Sequence, residues 1–177
     1  MYKIKIVEDP RDSVQREQLL MEALQNFRPE PEASFPAVRH SEKGKPYVDG
    51  GPEFSISHSG GLWGCVVSDG PCGFDLQRMR PAACDQLAAR FFFPAEARYI
   101  KEAGLCGFYE LWTRREALAK YTGLGFFGMS FDRPPLVDGE GKPARRVLWE
   151  GETVVFEEIE VPEGFLAVWC CKEGKGK

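Results

Sequence analysis

At 177 residues the chain can bury one substantial core or two small halves that share an interface, and a 43% hydrophobic, 12% aromatic composition argues against a disordered chain. The formal net charge of −4, from 23 Lys+Arg against 27 Asp+Glu, disfavours a general nucleic-acid binder while leaving room for a local basic patch that takes an acidic ligand. The six cysteines (Cys65, Cys72, Cys84, Cys106, Cys170 and Cys171) contain no C-x-x-C pair, so they read as buried thiols in a reducing compartment rather than as a metal or disulfide framework.

Residues 1–8 alternate charged and apolar positions without a long apolar run, so neither a signal peptide nor a membrane span is expected, and the expected location is the cytoplasm. A strand is expected over residues 2–8, with Tyr2, Ile4 and Ile6 on one face. Asp12 or Ser13 can cap a helix whose apolar stripe runs through Leu19, Leu20, Ala23, Leu24 and Phe27, and the proline-rich stretch 29–36 should end it. Short strands follow near residues 54–57, 62–68 and 72–76, separated by Gly, Pro and Asp turns.

After Pro81 the pattern turns helical over residues 85–93, 94–103 and 107–121, and Gly123 and Gly125 suit a left-handed stop. Strands return at 146–149, 153–161 and 165–171, joined by turns that favour an antiparallel meander. The expected fold is therefore α+β, a pseudo-two-fold pair of helix-plus-antiparallel-sheet lobes over residues 1–80 and 81–171, with a polar tail at 172–177 and the site at the seam.

Three segments could carry chemistry. In Cys72-Gly73-Phe74-Asp75-Leu76-Gln77, alternation puts Phe74 and Leu76 toward a core, and Gly73, Asp75 and Gln77 on the opposite, outward face. That face is either a solvated surface or one that a ligand or another backbone approaches closely over the glycine. Glu116 and Lys120 share a helix face with Trp112; the carboxylate lies at the edge of an apolar arc, where partial desolvation makes it seek a cation. As a bare i,i+4 pair they would contribute only about 0.3–0.5 kcal/mol. Finally, Ser57, His58 and Ser59 precede Gly60-Gly61, and hydroxyls, an imidazole and flexible backbone amides suit a phosphate, with Lys45 adding a positive charge. No G-x-S-x-G elbow occurs and the histidines are only His40 and His58, which disfavours a serine-hydrolase triad.

The ordered set Gly44-Lys45-Pro46, Phe54-Ser55-Ile56-Ser57-His58-Ser59, Gly73-Phe74-Asp75 and Trp112-Thr113-x-x-Glu116-Ala117-x-x-Lys120 resembles the 4′-phosphopantetheinyl transferases, in particular the monomeric, two-lobed type that activates peptide and polyketide synthetases. The resemblance covers residues 40–125. It implies transfer of phosphopantetheine from coenzyme A to a serine of an acyl or peptidyl carrier protein, dependent on Mg²⁺, by a monomer with no nucleic-acid or membrane partner. It further implies Asp75, Glu116 and Gln77 as metal ligands, Glu116 and Lys120 as catalytic groups, and Lys45, Ser57 and His58 as contacts to the coenzyme A phosphates.

Three departures stand out. Gln77 occupies a position where many members have a carboxylate, Arg115 replaces a lysine, and the N-terminal half is short and lacks the basic segment that usually precedes the first long helix, so that some 3′-phosphate contacts are either lost or supplied by Arg11, Arg16 or Arg39. They keep open a rival reading, a homologue that binds coenzyme A or a carrier protein without transfer.

Overall fold

The computed structural model describes residues 1–27, 37–125, 128–129 and 133–174. Strand β1 (Tyr2–Glu8) leads into helix α1 (Ser13–Phe27), and Asp12 caps it by accepting from the Val14 and Gln15 amides at 3.4 and 3.3 Å. The expected proline stop at 29–36 lies outside the described residues. Two short strands, β2 (Arg39–His40) and β3 (Pro46–Tyr47), pair with each other. Strands β4 (Glu53–Ser59) and β5 (Leu62–Ser68) form a hairpin whose two-residue loop is Gly60-Gly61, both at positive φ, as such a tight turn demands. With β1 they form an antiparallel sheet in the order β1-β5-β4.

The chain then changes sheets. Strand β6 (Cys72–Arg78) pairs with the C-terminal strand β9 (Phe165–Lys172), at the edge of a second antiparallel sheet, β6-β9-β8-β7, completed by β7 (Arg146–Trp149) and β8 (Glu152–Glu158). Helices α2 (Cys84–Phe91) and α3 (Pro94–Thr122) pack on that sheet. The pattern calls for helices at 94–103 and 107–121; they form one element bent at Gly104, whose φ of 65° and ψ of −142° are non-helical. Gly123, at φ 68°, ends it in the left-handed cap expected of it. The fold is thus α+β in two lobes, each a helix layer on an antiparallel sheet.

Three apolar clusters hold these layers. Leu20, Leu24 and Phe27 of α1 cover Trp63, Cys65 and Val67 of β5. Phe108, Leu111 and Leu118 of α3 pack over the second sheet. Between the sheets, Phe74 and Leu76 of β6 meet Val66, Ile4 and Ile6, so the expected core face of β6 joins the lobes.

The seam is also stitched by polar groups. From Ser55 on, every second residue of β4 is a serine on the face toward β6: Ser55 accepts from the Phe74 amide at 2.9 Å, Ser59 accepts from the Arg78 amide at 3.0 Å, and Ser57 between them donates to Asp75. Serine hydroxyls thereby satisfy edge amides of β6 that no neighbouring strand reaches.

Candidate active site

Gly73 explains how β6 and α3 come close enough to build a site. A Cβ there would lie 1.9 Å from the Ala117 carbonyl oxygen and 2.6 Å from the Tyr121 nitrogen, so only glycine lets the helix settle on the strand. The partner that approaches this glycine is the α3 backbone. Two residues on, Asp75 therefore does not face solvent as its outward position predicts: it is 2% exposed, covered by α3 on one side and β4 on the other.

The Asp75 carboxylate is held by three side chains from three elements. Oδ1 accepts from Lys120 Nζ at 2.8 Å and from Ser57 Oγ at 2.9 Å, and Oδ2 accepts from Gln77 Nε2 at 3.0 Å. Beside it, Glu116 accepts no hydrogen bond among the described residues. Burial, and next the negative charge of Asp75, push its carboxyl up to about 7, against opposing pulls from Lys120 and Arg115. The partly desolvated carboxylate expected beside the apolar arc is what the structure contains.

These groups open on a cleft of about 620 Å³ between the lobes. Its floor carries Ser57, Asp75, Gln77, Glu116 and Lys120, and His58 lies on its wall. Strand β4 continues through this segment, so Ser57 and His58 project to opposite faces, the first toward Asp75 and the second toward Asp9 of the loop before α1. Lys45 stands apart from this cleft. Its Nζ lies 3.4 Å from the Tyr121 carbonyl oxygen and 3.5 Å from that of Cys72, and it lines an adjoining hollow of about 210 Å³ that meets the cleft at Glu116 and Lys120.

Sequence patterns left the far end of the cleft largely unread. Leu20, Val38, Ile56 and Trp63 form an apolar wall there, and His40 and Arg16 bring nitrogen groups to it. Of the three arginines weighed for phosphate contacts, Arg16 lines this cleft, whereas Arg39 is exposed and paired with Asp49. Arg16 is fixed by a fork on Asp9, Nε to Oδ1 at 2.7 Å and Nη2 to Oδ2 at 2.6 Å, which holds the Asp9 carboxyl down at about 2. The i, i+7 spacing of Asp9 and Arg16 across a helix start was the one available sign of this pair. Arg115 is buried beneath the α2–α3 turn, where it donates to the Phe91 carbonyl and lies 5.6 Å from the centre of the Phe91 ring.

The donor set is a hard one. Two carboxylates and an amide suit a small divalent cation that also takes phosphate oxygens, and Glu116, desolvated and without a donor, is the group most in need of positive charge. The residues present therefore fit Mg²⁺.

The family model described as the 4′-phosphopantetheinyl transferase superfamily matches residues 71–140. Among curated relatives, a 4′-phosphopantetheinyl transferase of Bacillus subtilis is 38% identical over 90 residues, covering 48% of this chain and 40% of the relative. The 4′-phosphopantetheinyl transferase gsp of Aneurinibacillus migulanus is 33% identical over 93 residues, 50% of this chain and 39% of the relative. The 4′-phosphopantetheinyl transferase AcpT of Salmonella typhi is 32% identical over 97 residues, 50% of each. The matches thus span half or less of the length of these relatives. Residues 71–140, the segment that holds Asp75, Glu116 and Lys120, are thus the part of this chain that is similar to the 4′-phosphopantetheinyl transferase superfamily.

Proposed function

We propose that the protein transfers 4′-phosphopantetheine from coenzyme A to a serine hydroxyl of an acyl or peptidyl carrier protein, with Mg²⁺ as its ion. The observation that carries this reading is the convergence of Asp75, Glu116 and Lys120 in one interlobe cleft that Arg16 and His58 also line. A cleft lined by a carboxylate pair together with a guanidinium and an imidazole matches an extended phosphate ester with a hard metal on its pyrophosphate.

In this reading Asp75 and Glu116 hold the ion, which when bound neutralises pyrophosphate charge, and Gln77 adds a neutral amide. Arg16, with His58, binds the 3′-phosphate at the far end, and the apolar wall takes the adenine. Ser57 acts on Asp75, which it already touches, and Lys45 reaches the ligand through the adjoining hollow. A Glu116 carboxyl near neutrality can accept the proton of the incoming serine as its oxygen bonds to the β-phosphorus. The phosphorus–oxygen bond to 3′,5′-ADP breaks in the same displacement, and Lys120 Nζ offsets the charge gathering on the leaving phosphate. The protein acts as a cytoplasmic monomer, with residues 1–80 and 81–171 as lobes of one functional unit.

The test is intact-mass analysis of apo carrier proteins incubated with this protein, coenzyme A and Mg²⁺. Gain of one phosphopantetheine supports transfer. Coenzyme A binding with no gain on any carrier would leave the non-catalytic homologue as the better reading.

A further inference from the structure

Strands β6 and β9 bring two of the six cysteines directly opposite one another, Cys72 against Cys171. Both side chains belong to the face of the sheet that packs against the first lobe, with Phe74 and Trp169 as their neighbours along the two strands. The hydrogen-bond phase is set by β4: the Phe74 and Arg78 amides donate to Ser55 and Ser59, hence away from β9. Phe74 and Trp169 are therefore a non-hydrogen-bonded pair, and so, two positions along, are Cys72 and Cys171. Such pairs hold their Cα atoms about 4.5 Å apart with side chains side by side. That falls within the range of about 4.4–6.8 Å that a disulfide bridges without backbone movement.

The other thiols are less well placed. Cys170 lies on the opposite face, opposite Gly73, and Cys65 points from β5 into the α1 cluster. We infer that Cys72 and Cys171 form a reversible cross-strand disulfide, made by exchange with a small-molecule disulfide.

Cys171, the partly exposed member, is where the reagent enters, since Cys72 is fully buried. The Cys171 thiolate attacks one sulfur of the reagent RSSR, forming a mixed disulfide and expelling RS⁻. Cys72 then loses its proton to solvent, attacks the Cys171 sulfur and expels the second RS⁻. Two protein thiols are oxidised and RSSR is reduced to two RSH. Burial raises both thiols above their ordinary range, so the exchange should quicken as pH rises. The bridge would cross-link the start of the strand that carries Asp75 three residues later, and it stands independently of the proposed transferase activity.

The experiment incubates the folded, full chain with glutathione disulfide at mildly alkaline pH, removes the reagent and measures intact mass and non-reduced peptides. The expected product has lost two hydrogens, retains no glutathione, yields one linked peptide pair containing Cys72 and Cys171, and regains its mass with dithiothreitol. Cys171→Ser, at a partly exposed position, should abolish the loss of two hydrogens, and Cys106→Ser should leave it unchanged. An unchanged mass, stable glutathione adducts without ring closure, or linkage through any other cysteine pair would overturn the inference.

Discussion

Two carboxylate–cation pairs, Glu96 with Arg133 and Asp75 with Lys120, are built to opposite specifications. Glu96 and Arg133 are both 0% exposed in their side chains; Arg133 Nη2 lies 2.6 Å from Oε2, and the Phe93 and Leu136 amides each donate to the same carboxylate at 2.7 Å. Every strong acceptor position of Glu96 is taken, and the result fastens residues 133–136 to the start of α3. Asp75 and Lys120 form a pair at 2.8 Å that opens on a cleft, with Lys120 still 30% exposed, and they stand beside Glu116, a carboxylate with no hydrogen-bond donor among the described residues. A carboxylate in a structural role is surrounded by donors until its charge is spent. A carboxylate left short of donors in a partly dry cleft is held ready for a cation that arrives with a ligand.

That contrast can be broken experimentally, and the largest effects should fall on opposite properties. Glu116→Gln should abolish phosphopantetheine transfer to an apo carrier protein while leaving the chain folded. Glu96→Ala should destabilise the chain by about 3–5 kcal/mol, because it strands a buried guanidinium, and should lower activity only through loss of folded protein. Chemical denaturation beside the transfer assay checks both. If Glu116→Gln proved the more destabilising of the two, the division between a satisfied and an available carboxylate would fail.

Lys120→Ala should lower kcat more than it weakens coenzyme A binding, since charge on the leaving phosphate grows only as the bond breaks. The substitution also removes the cation from buried Asp75, so a loss of about 1–3 kcal/mol in stability should accompany it. A raised KM at constant kcat would assign Lys120 to ground-state binding.

The pH dependence sharpens the comparison further. Glu116 titrates near 7 in the folded protein against 4.5 ordinarily, so between those values the folded state binds more protons than the unfolded state. Stability of the metal-free protein should therefore fall as pH rises through that window, the cost of ionising Glu116 being absent below it and complete above it. Denaturation midpoints of Glu116→Gln should decline less steeply there, and this variant should be the more stable of the two at pH values above the window. Parallel curves would show that the environment of Glu116 is less costly to its charge than the geometry requires.

The smallest effect concerns Gln77, whose amide nitrogen rests on Asp75 Oδ2. Gln77→Glu adds an anion beside the carboxylate pair and should lower the Mg²⁺ concentration for half-maximal transfer without raising the maximal rate. Superimposable titrations at fixed coenzyme A would remove Gln77 from the ion's surroundings.

Local pattern was enough for much of this molecule. The period-two alternation of β1, the apolar stripe of α1, the glycine stop after α3 and the placement of Phe74 and Leu76 on a core face all follow from interactions between residues close in the chain, which sequence spacing encodes directly. The shared helix face of Glu116 and Lys120 is of the same kind, as is the desolvation of Glu116 by its apolar arc.

Tertiary contacts decided the rest. Asp75 alternates to the outward face of β6, and nothing within β6 announces that α3 will close over it; that burial depends on Gly73 meeting the backbone of Ala117 and Tyr121, more than 40 residues later. The split of Ser57 from His58 arises because β4 runs on through Ser59 instead of ending in a turn, an extension favoured by the serine hydroxyls that meet the β6 amides across the seam. The choice of Arg16 over Arg39 follows from which nearby carboxylate each one meets, Asp9 or Asp49, whereas the withdrawal of Lys45 to the end of α3 rests on the Tyr121 carbonyl, far along the chain. Periodicity states which side of its own element a residue occupies; what lies on that side is set by how the elements pack.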